Sequence, residues 1–532
     1  MPLAAIEWPG LNGGLDLRAR NLVPPGRALR AFNTSPMPDG GVRSRPGWRK
    51  FASPASYFVD MLPIRWGSTD QLLCAGPSIA AYDLNTRALV TASIYSNGQD
   101  VCPGSSDGRF FVSRTSGAPV YWDANAGLWG STPFTGVTPI GRHLSRTPWD
   151  GRMVSADDTT VRFSEVDDPV TGTYGSTTFP ADNYINVTTK ADPITALVVW
   201  REFLFVFCRR KFFVFYTTTN NPATGVPEFP YRTVNTGDGC EYVQNQRGPA
   251  CVAPDGVYFA GPRGVFKTTG GIPQRMFPEL DQVFVTGEAA ATLIDPSLTN
   301  LNIDGYLNMG YVAGRLLITL SLRVPGGGPT STAVVLCWDQ LQDAWAVWSI
   351  RSGSGGSAII PRCVVGVPDA ITPTGAWTMR TKQIERLFMS SSAGGISVFD
   401  VEGMDGYDWS GDPFFGQSIQ SIYQTGWSDL GSPLRKTVRE VKLWLSGAAG
   451  STNVQLFCTP TPSQFATSPP VRQASRIARQ PRLVRGLAAR GQFFSLGFDW
   501  QPAQGVGRVE RAELHVRQPP RAPSISTTDS SP

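Results

Sequence analysis

Seven segments of the chain share one pattern of hydrophobic and polar positions. Each has an apolar run, a short turn and a second apolar run with an aromatic residue near its end. β-Branched and aromatic residues on both sides of a few turn-forming residues are typical of a β-hairpin. The pattern therefore predicts hairpins at residues 71–84, 109–123, 151–165, 203–216, 255–268, 333–348 and 386–400.

The spacing of these hairpins predicts a repeat architecture. Their centres lie about 40 residues apart at first and about 50 later, with a wider gap near residues 270–335, and β-propeller blades repeat at this interval. Neither a WD nor a kelch signature recurs. We therefore expect an all-β protein with a propeller of about six to eight blades. A run of meander sandwiches is the alternative that the pattern leaves open.

Beyond residues 405–416 the repeat ends and hydrophobic positions alternate strictly with polar ones. A period of two predicts strands with one buried and one solvated face. The alternating groups are Val441, Leu443 and Leu445; Phe494, Leu496, Phe498 and Trp500; and Ala512, Leu514 and Val516. The predicted organisation is an extended N-terminal segment at 1–55, a propeller at 56–415, an appended C-terminal β-sandwich at 416–518 and a linker-like tail at 519–532.

Composition supports a turn-rich β protein and argues against a membrane span. The 532 residues include 56 Gly and 44 Pro, and charged residues make up 17%. Charged side chains interrupt the most apolar region, 194–216, so it is too polar to cross a bilayer. The N-terminus lacks the basic and apolar regions of a secretory signal, and we expect no direct membrane insertion.

The 8 cysteines are scattered along the chain and form no CxxC pair. In a chain of this size they are expected to be free, buried thiols of a protein made in a reducing compartment. A disulfide between Cys240 and Cys251 is the less favoured alternative.

Positive charge is concentrated at the C-terminal end. Residues 430–532 carry 14 Lys and Arg against 5 Asp and Glu, whereas residues 1–429 carry 33 against 37. A row of arginines without acids can contact DNA phosphates in a channel or an acidic neighbouring subunit. We favour subunit contact, because the acidic body of the chain offers a complementary surface. The arginines of this segment, 471–490, are Arg472, Arg476, Arg479, Arg482, Arg485 and Arg490.

Few residues suggest catalysis. The two histidines, His143 and His515, have no metal-ligand set near them in the sequence, and no nucleophile elbow or phosphate-binding loop is present. A glycosidase would need two carboxylates at a set separation, but Asp at a hairpin turn and Asp-Pro are ordinary turn chemistry. We therefore expect no enzymatic activity, metal or cofactor. The clustered acids are Asp157, Asp158, Glu165, Asp167 and Asp168.

A basic, glycine-rich segment near the N-terminus suggests a family. Residues 12–51 carry, in order, Gly13, Gly14, Pro25, Asn33, Gly40, Arg45, Pro46 and Gly47. Residues 423–447 then combine a Trp, a Gly, a basic turn and an alternating strand. With the repeated hairpins between them, these stretches resemble the tail nozzle proteins of short-tailed bacteriophages, also termed tail tubular protein B or packaged-DNA stabilisation protein.

The resemblance implies a structural role in the virion tail of a protein made in the host cytoplasm. Proteins of this family have a β-propeller with added β domains. They form a homo-oligomeric ring, for which we expect a hexamer, below the portal and adaptor. The ring closes the tail and later conducts double-stranded DNA without sequence-specific binding. Tail fibre or tip proteins are further expected partners.

Within residues 40–51, the resemblance implies an extended clasp. Its candidate subunit contacts are Arg43, Arg45, Trp48 and Arg49, through burial of the indole and ion pairs with acids. The same segment could also be an ordinary first strand of the propeller, and the two interpretations are not exclusive. Two other functions stay open: a propeller that binds or cleaves host-surface carbohydrate, and a baseplate or tip protein of a long-tailed phage.

Overall fold

The computed structural model of the chain is all-β in the part that it describes. There, the chain forms 45 strands and two short 3-10 helices, Gly175–Thr177 and Pro278–Leu280, and no helix has the length and apolar character needed to span a bilayer. The described residues are 4–8, 10–11, 13–14, 16, 23, 27–45, 48–52, 58–66, 69–84, 86–92, 103–106, 109–113, 120–123, 128–130, 135–136, 141–166, 175–241, 243, 247–280, 302–323, 329–348, 361–367, 386–391, 396–399, 407–409, 416–418, 421–430, 435–446, 452–459, 472–478, 483–500 and 508–517.

The chain divides into two compact units. The first unit contains Met1–Arg45, Gln342–Ala346 and Ser418–Pro532, and the second contains Pro46–Leu341 and Val347–Gln417. The division after Arg45 separates two parts of the N-terminal segment predicted at 1–55. Residues up to 45 belong with the C-terminal strands, and the rest of that segment belongs with the repeated hairpins.

The first four strands lie in the first unit. They are β1 (Ala4–Glu7), β2 (Ala28–Phe32), β3 (Thr34–Pro36) and β4 (Val42–Ser44). The next strand, β5 (Trp48–Ala52), begins the second unit.

Six four-stranded antiparallel sheets follow in the described part of the chain, together with a run of four antiparallel strands that belongs to a nine-stranded sheet. We number these seven groups sheets 1 to 7, and the run of four strands is sheet 6. Sheet 1 contains β6 (Asp60–Trp66), β7 (Thr69–Ala75), β8 (Ile79–Asp83) and β9 (Leu89–Ala92). Sheet 2 contains β10 (Pro103–Ser106), β11 (Arg109–Val112), β12 (Val120–Asp123) and β13 (Leu128–Gly130). A short strand, β14 (Thr135–Gly136), pairs in parallel with β18 (Thr178–Phe179). Sheet 3 contains β15 (His143–Leu144), β16 (Arg152–Ala156), β17 (Thr160–Val166) and β19 (Tyr184–Asn186).

Sheet 4 contains β20 (Ile194–Trp200), β21 (Phe203–Cys208), β22 (Lys211–Phe215) and β25 (Tyr231–Asn235). Between its last two strands, β23 (Thr219–Asn220) pairs with β24 (Pro227–Glu228). Sheet 5 contains β26 (Ala250–Ala253), β27 (Gly256–Gly261), β28 (Gly264–Thr268) and β29 (Gln274–Met276). Sheet 6 contains β30 (Asn302–Val312), β31 (Arg315–Arg323), β32 (Pro329–Asp339) and β33 (Ala344–Trp348). Sheet 7 contains β34 (Pro361–Val367), β35 (Arg386–Ser391), β36 (Ile396–Phe399) and β5.

All seven predicted hairpins are confirmed, and each contributes two neighbouring strands to a different sheet. The hairpin predicted at 203–216, for example, is β21 and β22, with Phe205 opposite Val214. Every residue of β21 after Phe203 is buried. A strand covered on both faces has a continuous apolar sequence rather than an alternating one. This explains why the hairpin segments are so hydrophobic.

Strand β5 completes sheet 7, although it precedes sheet 1 in the sequence. It pairs antiparallel with β36, so that Trp48 lies opposite Phe399 and Ala52 lies opposite Ile396. Residues 48–52 therefore form a strand, as the second interpretation of segment 40–51 predicted, but this strand lies in the last sheet and residues 40–45 belong to the first unit. Because the N-terminal strand supplies the fourth strand of the last sheet, the first and last sheets are also neighbours along the backbone.

Buried side chains fill the spaces between consecutive sheets of the second unit. Phe110 of sheet 2 belongs to the same core as the apolar residues of sheet 1, and Phe111 packs in a core with Leu144 of sheet 3. Sheets 3 and 4 share a third core. Between sheets 4 and 5, the rings of Phe207 and Phe259 lie 4.8 Å apart.

The series of packed sheets returns to its beginning. The first strands of sheets 5 and 6 contact each other, as do those of sheets 6 and 7. Between sheets 7 and 1, the ring of Phe51 lies 5.1 Å from that of Phe388 and 6.4 Å from that of Tyr82. Residues of both sheets form one core there. Each of the seven sheets thus packs on the next, and the seventh packs on the first.

The remaining strands include a two-stranded pair, β37 (Tyr407–Trp409) with β38 (Gly416–Ser418). The later strands lie in the first unit: β39 (Ser421–Thr425), β40 (Lys436–Ser446), β41 (Thr452–Thr459), β42 (Arg472–Ala478), β43 (Leu483–Gly491), β44 (Phe493–Trp500) and β45 (Arg508–Arg517). One sheet of this unit has the order β3–β4–β45–β40–β43, with β1 also on β45, and the other contains β2–β39–β44–β41–β42.

Burial along the C-terminal strands follows the predicted alternation, with one exception. In β45, positions Ala512, Leu514 and Val516 are buried and the residues between them are more exposed. In β44, however, Ser495 is also buried, and its hydroxyl donates a hydrogen bond to the carbonyl oxygen of Thr425 at 2.8 Å. The prediction of a solvated second face is therefore wrong for β44.

Candidate functional site

The most deeply buried charge network of the second unit centres on Asp60, the first residue of β6. Its side chain is 2% exposed. Arg146, which follows β15, forms an ion pair with Asp60 Oδ1, and Arg247, which precedes β26, places Nη2 3.6 Å from Oδ2. The Cys363 Sγ of β34 lies 3.8 Å from Oδ1. We call Asp60, Arg146 and Arg247 the Asp60 cluster; with Cys363, it joins sheets 1, 3, 5 and 7.

His143, the first residue of β15, lies close to this cluster. The side chain is buried, and its Nε2 lies 3.2 Å from the carbonyl oxygen of Ile194. Because a carbonyl oxygen can only accept, Nε2 carries the hydrogen and donates the hydrogen bond. Burial lowers the pKa of His143 to about 4; the hydrogen bond to Ile194 opposes this shift, and the positive charges of Arg142 and Arg247 add to it. The imidazole is therefore neutral at pH 7. Arginines flank His143 in the sequence, at positions 142 and 146, yet its side chain lies in the interior.

The thiols near the cluster are protonated and not activated. Burial raises the pKa of Cys251 to about 12, against the opposing effect of Arg247 and Arg146, and burial raises that of Cys363 well above its ordinary value. All described cysteines are free, and Cys240 and Cys251 form no disulfide. The expectation of free thiols is confirmed for the seven described positions, six of which are buried.

The Asp60 cluster is suited to holding sheets together rather than to chemistry. It has one carboxylate between two guanidinium groups, whereas glycoside hydrolysis needs two carboxylates on either side of a substrate. Within the described ranges, no group of three or more His, Cys, Asp and Glu side chains could hold a metal ion. Breaking a buried ion pair is costly because a charge is left without its partner. The cluster therefore links strands that are distant in sequence.

The described acids that were considered for a glycosidase site have separate surroundings and form no pair of facing carboxylates. Asp157 Oδ1 accepts hydrogen bonds from the amides of Thr159 and Thr160, both at 2.7 Å, which confirms its predicted turn role. Asp158 lies 3.6 Å from Arg142, and Glu165 is exposed. Asp167 and Asp168 lie outside the described residues.

The four predicted subunit contacts have different surroundings. Arg45 is 1% exposed, and its Nε donates to Asn33 Oδ1 at 3.0 Å while its amide donates to the Asn33 carbonyl oxygen. Asn33 has a φ of 52°, so Arg45 stabilises a left-handed turn of its own chain. Arg43 is half-buried in β4, opposite Arg508. The backbone of Trp48 and Arg49 lies in β5.

The basic segment 471–490 forms two strands where it is described. Arg472 and Arg476 lie in β42, and Arg485 and Arg490 lie in β43. These strands contact each other, and each is the last strand of its sheet. Arg485 lies opposite Glu440 in the strand register, and Arg490 is exposed. Arg479 and Arg482 lie outside the described residues.

Sheets 4 and 5 have a cleft between their outer strands, β25 and β29, which we call the outer-strand cleft. Its volume is about 680 Å³, and it is open to solvent. No local sequence pattern predicts this cleft, because its charged residues come from separate strands and turns. They are Arg232, Asp238, Arg263 and Arg275.

Comparisons with known proteins do not identify the chain. No protein-family model matches it, and no curated protein matches it. A solved structure of U3-55K aligns with 66% of this chain and 99% of its own, with 9% sequence identity and a TM-score of 0.39. Since the TM-score is so low, this likeness carries no weight for either architecture or function.

Proposed function

We propose that this chain is a structural protein of a tailed-bacteriophage virion, forming part of the tail nozzle that retains the genome and then conducts it during ejection. One observation carries the proposal. The two stretches that resemble nozzle proteins, 12–51 and 423–447, are far apart in the sequence, yet they contribute strands to the same two sheets of the first unit. β2 pairs with β39, and β4 and β40 both pair with β45.

A glycine of the N-terminal stretch has a clear physical purpose in this unit. Gly14 has a φ of 68°, and a Cβ atom there would lie 2.4 Å from the backbone nitrogen of Trp345. Such a close approach excludes any side chain. The first stretch therefore needs glycine at this position for its packing, which supports a common fold as the basis of the resemblance.

We further propose that the seven sheets of the second unit are the blades of a β-propeller. Three features support this: six of the sheets have four strands and sheet 6 is a run of four strands in a larger sheet, every sheet packs on the next, and β5 joins the last sheet to the first. Radial repetition of this kind leaves only short, protected strand edges. The two sheets of the first unit are the proposed β-sandwich, to which the N-terminal strands contribute as well.

In this role the chain would contribute rigidity and shape rather than catalysis. A closed series of sheets with buried ion pairs resists deformation when DNA passes under pressure. A conduit for sliding DNA also benefits from weak overall charge, because strong phosphate binding would slow the DNA. The formal net charge of the 532-residue chain is only +5. We propose a homo-oligomeric ring, with a hexamer as the expected copy number, next to the portal and adaptor.

The experiment that tests this function is the removal of the chain from the virion by a nonsense mutation in its gene. We expect particles with filled heads that lose their DNA on storage and regain retention when the wild-type protein is added. If the chain instead binds host-surface carbohydrate, its removal would leave DNA retention intact and impair adsorption to the host. Retention equal to that of wild-type particles would overturn the proposal.

A further inference from the structure

The outer-strand cleft has an open strand edge along one wall. Within the described part of the chain, β22 is the sole strand neighbour of β25. Beside it, the amide of Tyr216 donates to the carbonyl oxygen of Pro230. Because hydrogen-bonded and non-hydrogen-bonded pairs alternate in an antiparallel ladder, the backbone groups of Tyr231, Thr233 and Asn235 point away from β22. They therefore face the open side of β25, along the residues that line the cleft.

The charge of the cleft is positive. Three arginines and one acid line it: Arg232, Arg263, Arg275 and Asp238. Asp238 is engaged by Arg263, whose Nε lies 2.6 Å from Oδ1. Arg232 donates a hydrogen bond to the carbonyl oxygen of Gly270. This acceptor is uncharged and does not neutralise the guanidinium group. The two sheets thus present an excess of positive charge beside an open backbone edge.

An apolar side chain lies on the rim of the same cleft. Ile272 is 85% exposed and is among the most exposed large hydrophobic residues described. The neighbouring strand, β29, is likewise the last strand of its sheet. Open edges are generally protected by charged residues and proline, which here are Arg232 and Pro273. Because the protecting charges are positive, the edge disfavours basic strands and accepts acidic ones.

We propose that the outer-strand cleft binds an extended, acidic polypeptide segment of a partner protein, which adds as a strand to β25. In this mode the backbone of the segment pairs with the outward groups of Tyr231, Thr233 and Asn235. Its carboxylates lie near Arg232 and Arg275, and an apolar residue covers Ile272. A strand supplies alternating backbone donors and acceptors that match the N–H and C=O groups of this edge, whereas the phosphates of a nucleic acid can only accept hydrogen bonds. The lining also offers little for base stacking, since its single aromatic residue, Phe266, is buried.

The test measures binding of a fluorescein-labelled peptide to the full chain by fluorescence anisotropy at low salt. The probe is a peptide of alternating Glu and Val, about eight residues long. We expect saturable binding that weakens at least about tenfold for Arg275→Glu and for Arg232→Glu. The matched control is Arg210→Glu, since Arg210 is an exposed arginine of sheet 4 outside the cleft, and it should leave binding unchanged.

A second set of probes separates strand addition from simple charge attraction. N-methylation of alternate peptide nitrogens on the pairing edge removes its hydrogen bonds and should weaken binding about tenfold or more. Thr233→Pro removes the outward backbone N–H of β25 and should weaken binding for the same reason. If that variant misfolds, the N-methylated peptide still tests the backbone hydrogen bonds on the wild-type chain.

Three results would each overturn the proposal. They are no binding up to about 1 mM peptide, equal binding of the N-methylated peptide, and equally tight competition by a short DNA duplex. The last result would show a general polyanion site. The binding assay uses the isolated chain, so its outcome does not depend on whether the chain belongs to a virion.

Discussion

Loss of the Asp60 carboxylate should lower the stability of the fold, because Asp60 of sheet 1 contacts residues of or next to sheets 3, 5 and 7. It is buried and lies between Arg146 and Arg247. Asp60→Ala leaves two guanidinium groups without their carboxylate, of which that of Arg247 is also buried. We predict a loss of about 3–5 kcal/mol in the free energy of unfolding.

Calorimetry or urea unfolding of the purified chain measures this loss. The matched control is Asp343→Ala, which removes an ion pair with Arg27 from a side chain that is 69% exposed, and it should cost less than about 1 kcal/mol. Equal effects of the two substitutions would mean that the Asp60 cluster does not hold the sheets together.

His143 should make the stability of the fold depend on pH. Its folded pKa of about 4 lies below the ordinary value of 6.5, so the unfolded chain binds a proton more readily than the folded chain. The stability is therefore fully present above pH 6.5 and decreases as the pH falls to 4. The difference corresponds to about 3 kcal/mol.

Unfolding measured from pH 7 to pH 4 tests this dependence. His143→Gln should remove about 3 kcal/mol of the decrease between these values. A wild-type slope that persists in the His143 variant would contradict the assignment of a buried, neutral imidazole.

At the scale of elements, β5 carries the connection between the first and last sheets. The ring of Phe51 packs against Phe388 of sheet 7 and Tyr82 of sheet 1. Phe51→Ala would leave a cavity between these sheets, and we predict a loss of about 3–5 kcal/mol.

Thermal unfolding followed by tryptophan fluorescence checks this effect. Leu341→Ala is the control, since Leu341 is 86% exposed in a turn and its truncation should change stability by less than about 0.5 kcal/mol. A Phe51 variant as stable as the control would mean that the contact between the first and last sheets is weak.

The hairpins were predictable from the sequence because their information is local. In β21 and β22, for instance, apolar runs flank the turn at Arg209 and Arg210, and the two strands pair across that turn. The sequence offered a clasp or a first propeller strand for residues 40–51, but it did not predict that β5 pairs with β36, because nearly the whole second unit separates the two strands along the chain. Local patterns identify strands, but they do not fix which distant strands become neighbours.

The candidate sites were missed for the same reason. The members of the Asp60 cluster are at positions 60, 146 and 247, and each alone resembles an ordinary charged residue near a strand. The arginines of the outer-strand cleft are equally dispersed. Conversely, the acids at 157 and 158 formed a conspicuous local group, and Asp157 serves its own turn. Clustering in sequence was a poor guide to clustering in space.

The proposed nozzle function predicts that several copies of this chain assemble into a ring. A ring requires a contact between two different surfaces of neighbouring protomers. Arg43 and the exposed Arg490 remain candidates for such a contact, whereas Arg45 is bonded within its own chain. For the basic strands β42 and β43, contact with a neighbouring subunit or with DNA in the channel stays a prediction.

The proposed place in the tail conduit is best tested by quantitative mass spectrometry of purified phage particles, in which this chain is counted against the portal protein. We predict about half as many copies as the portal, retained after washing with high salt. Absence of the chain from the particles, or its removal by the salt wash, would contradict a role as part of the tail conduit.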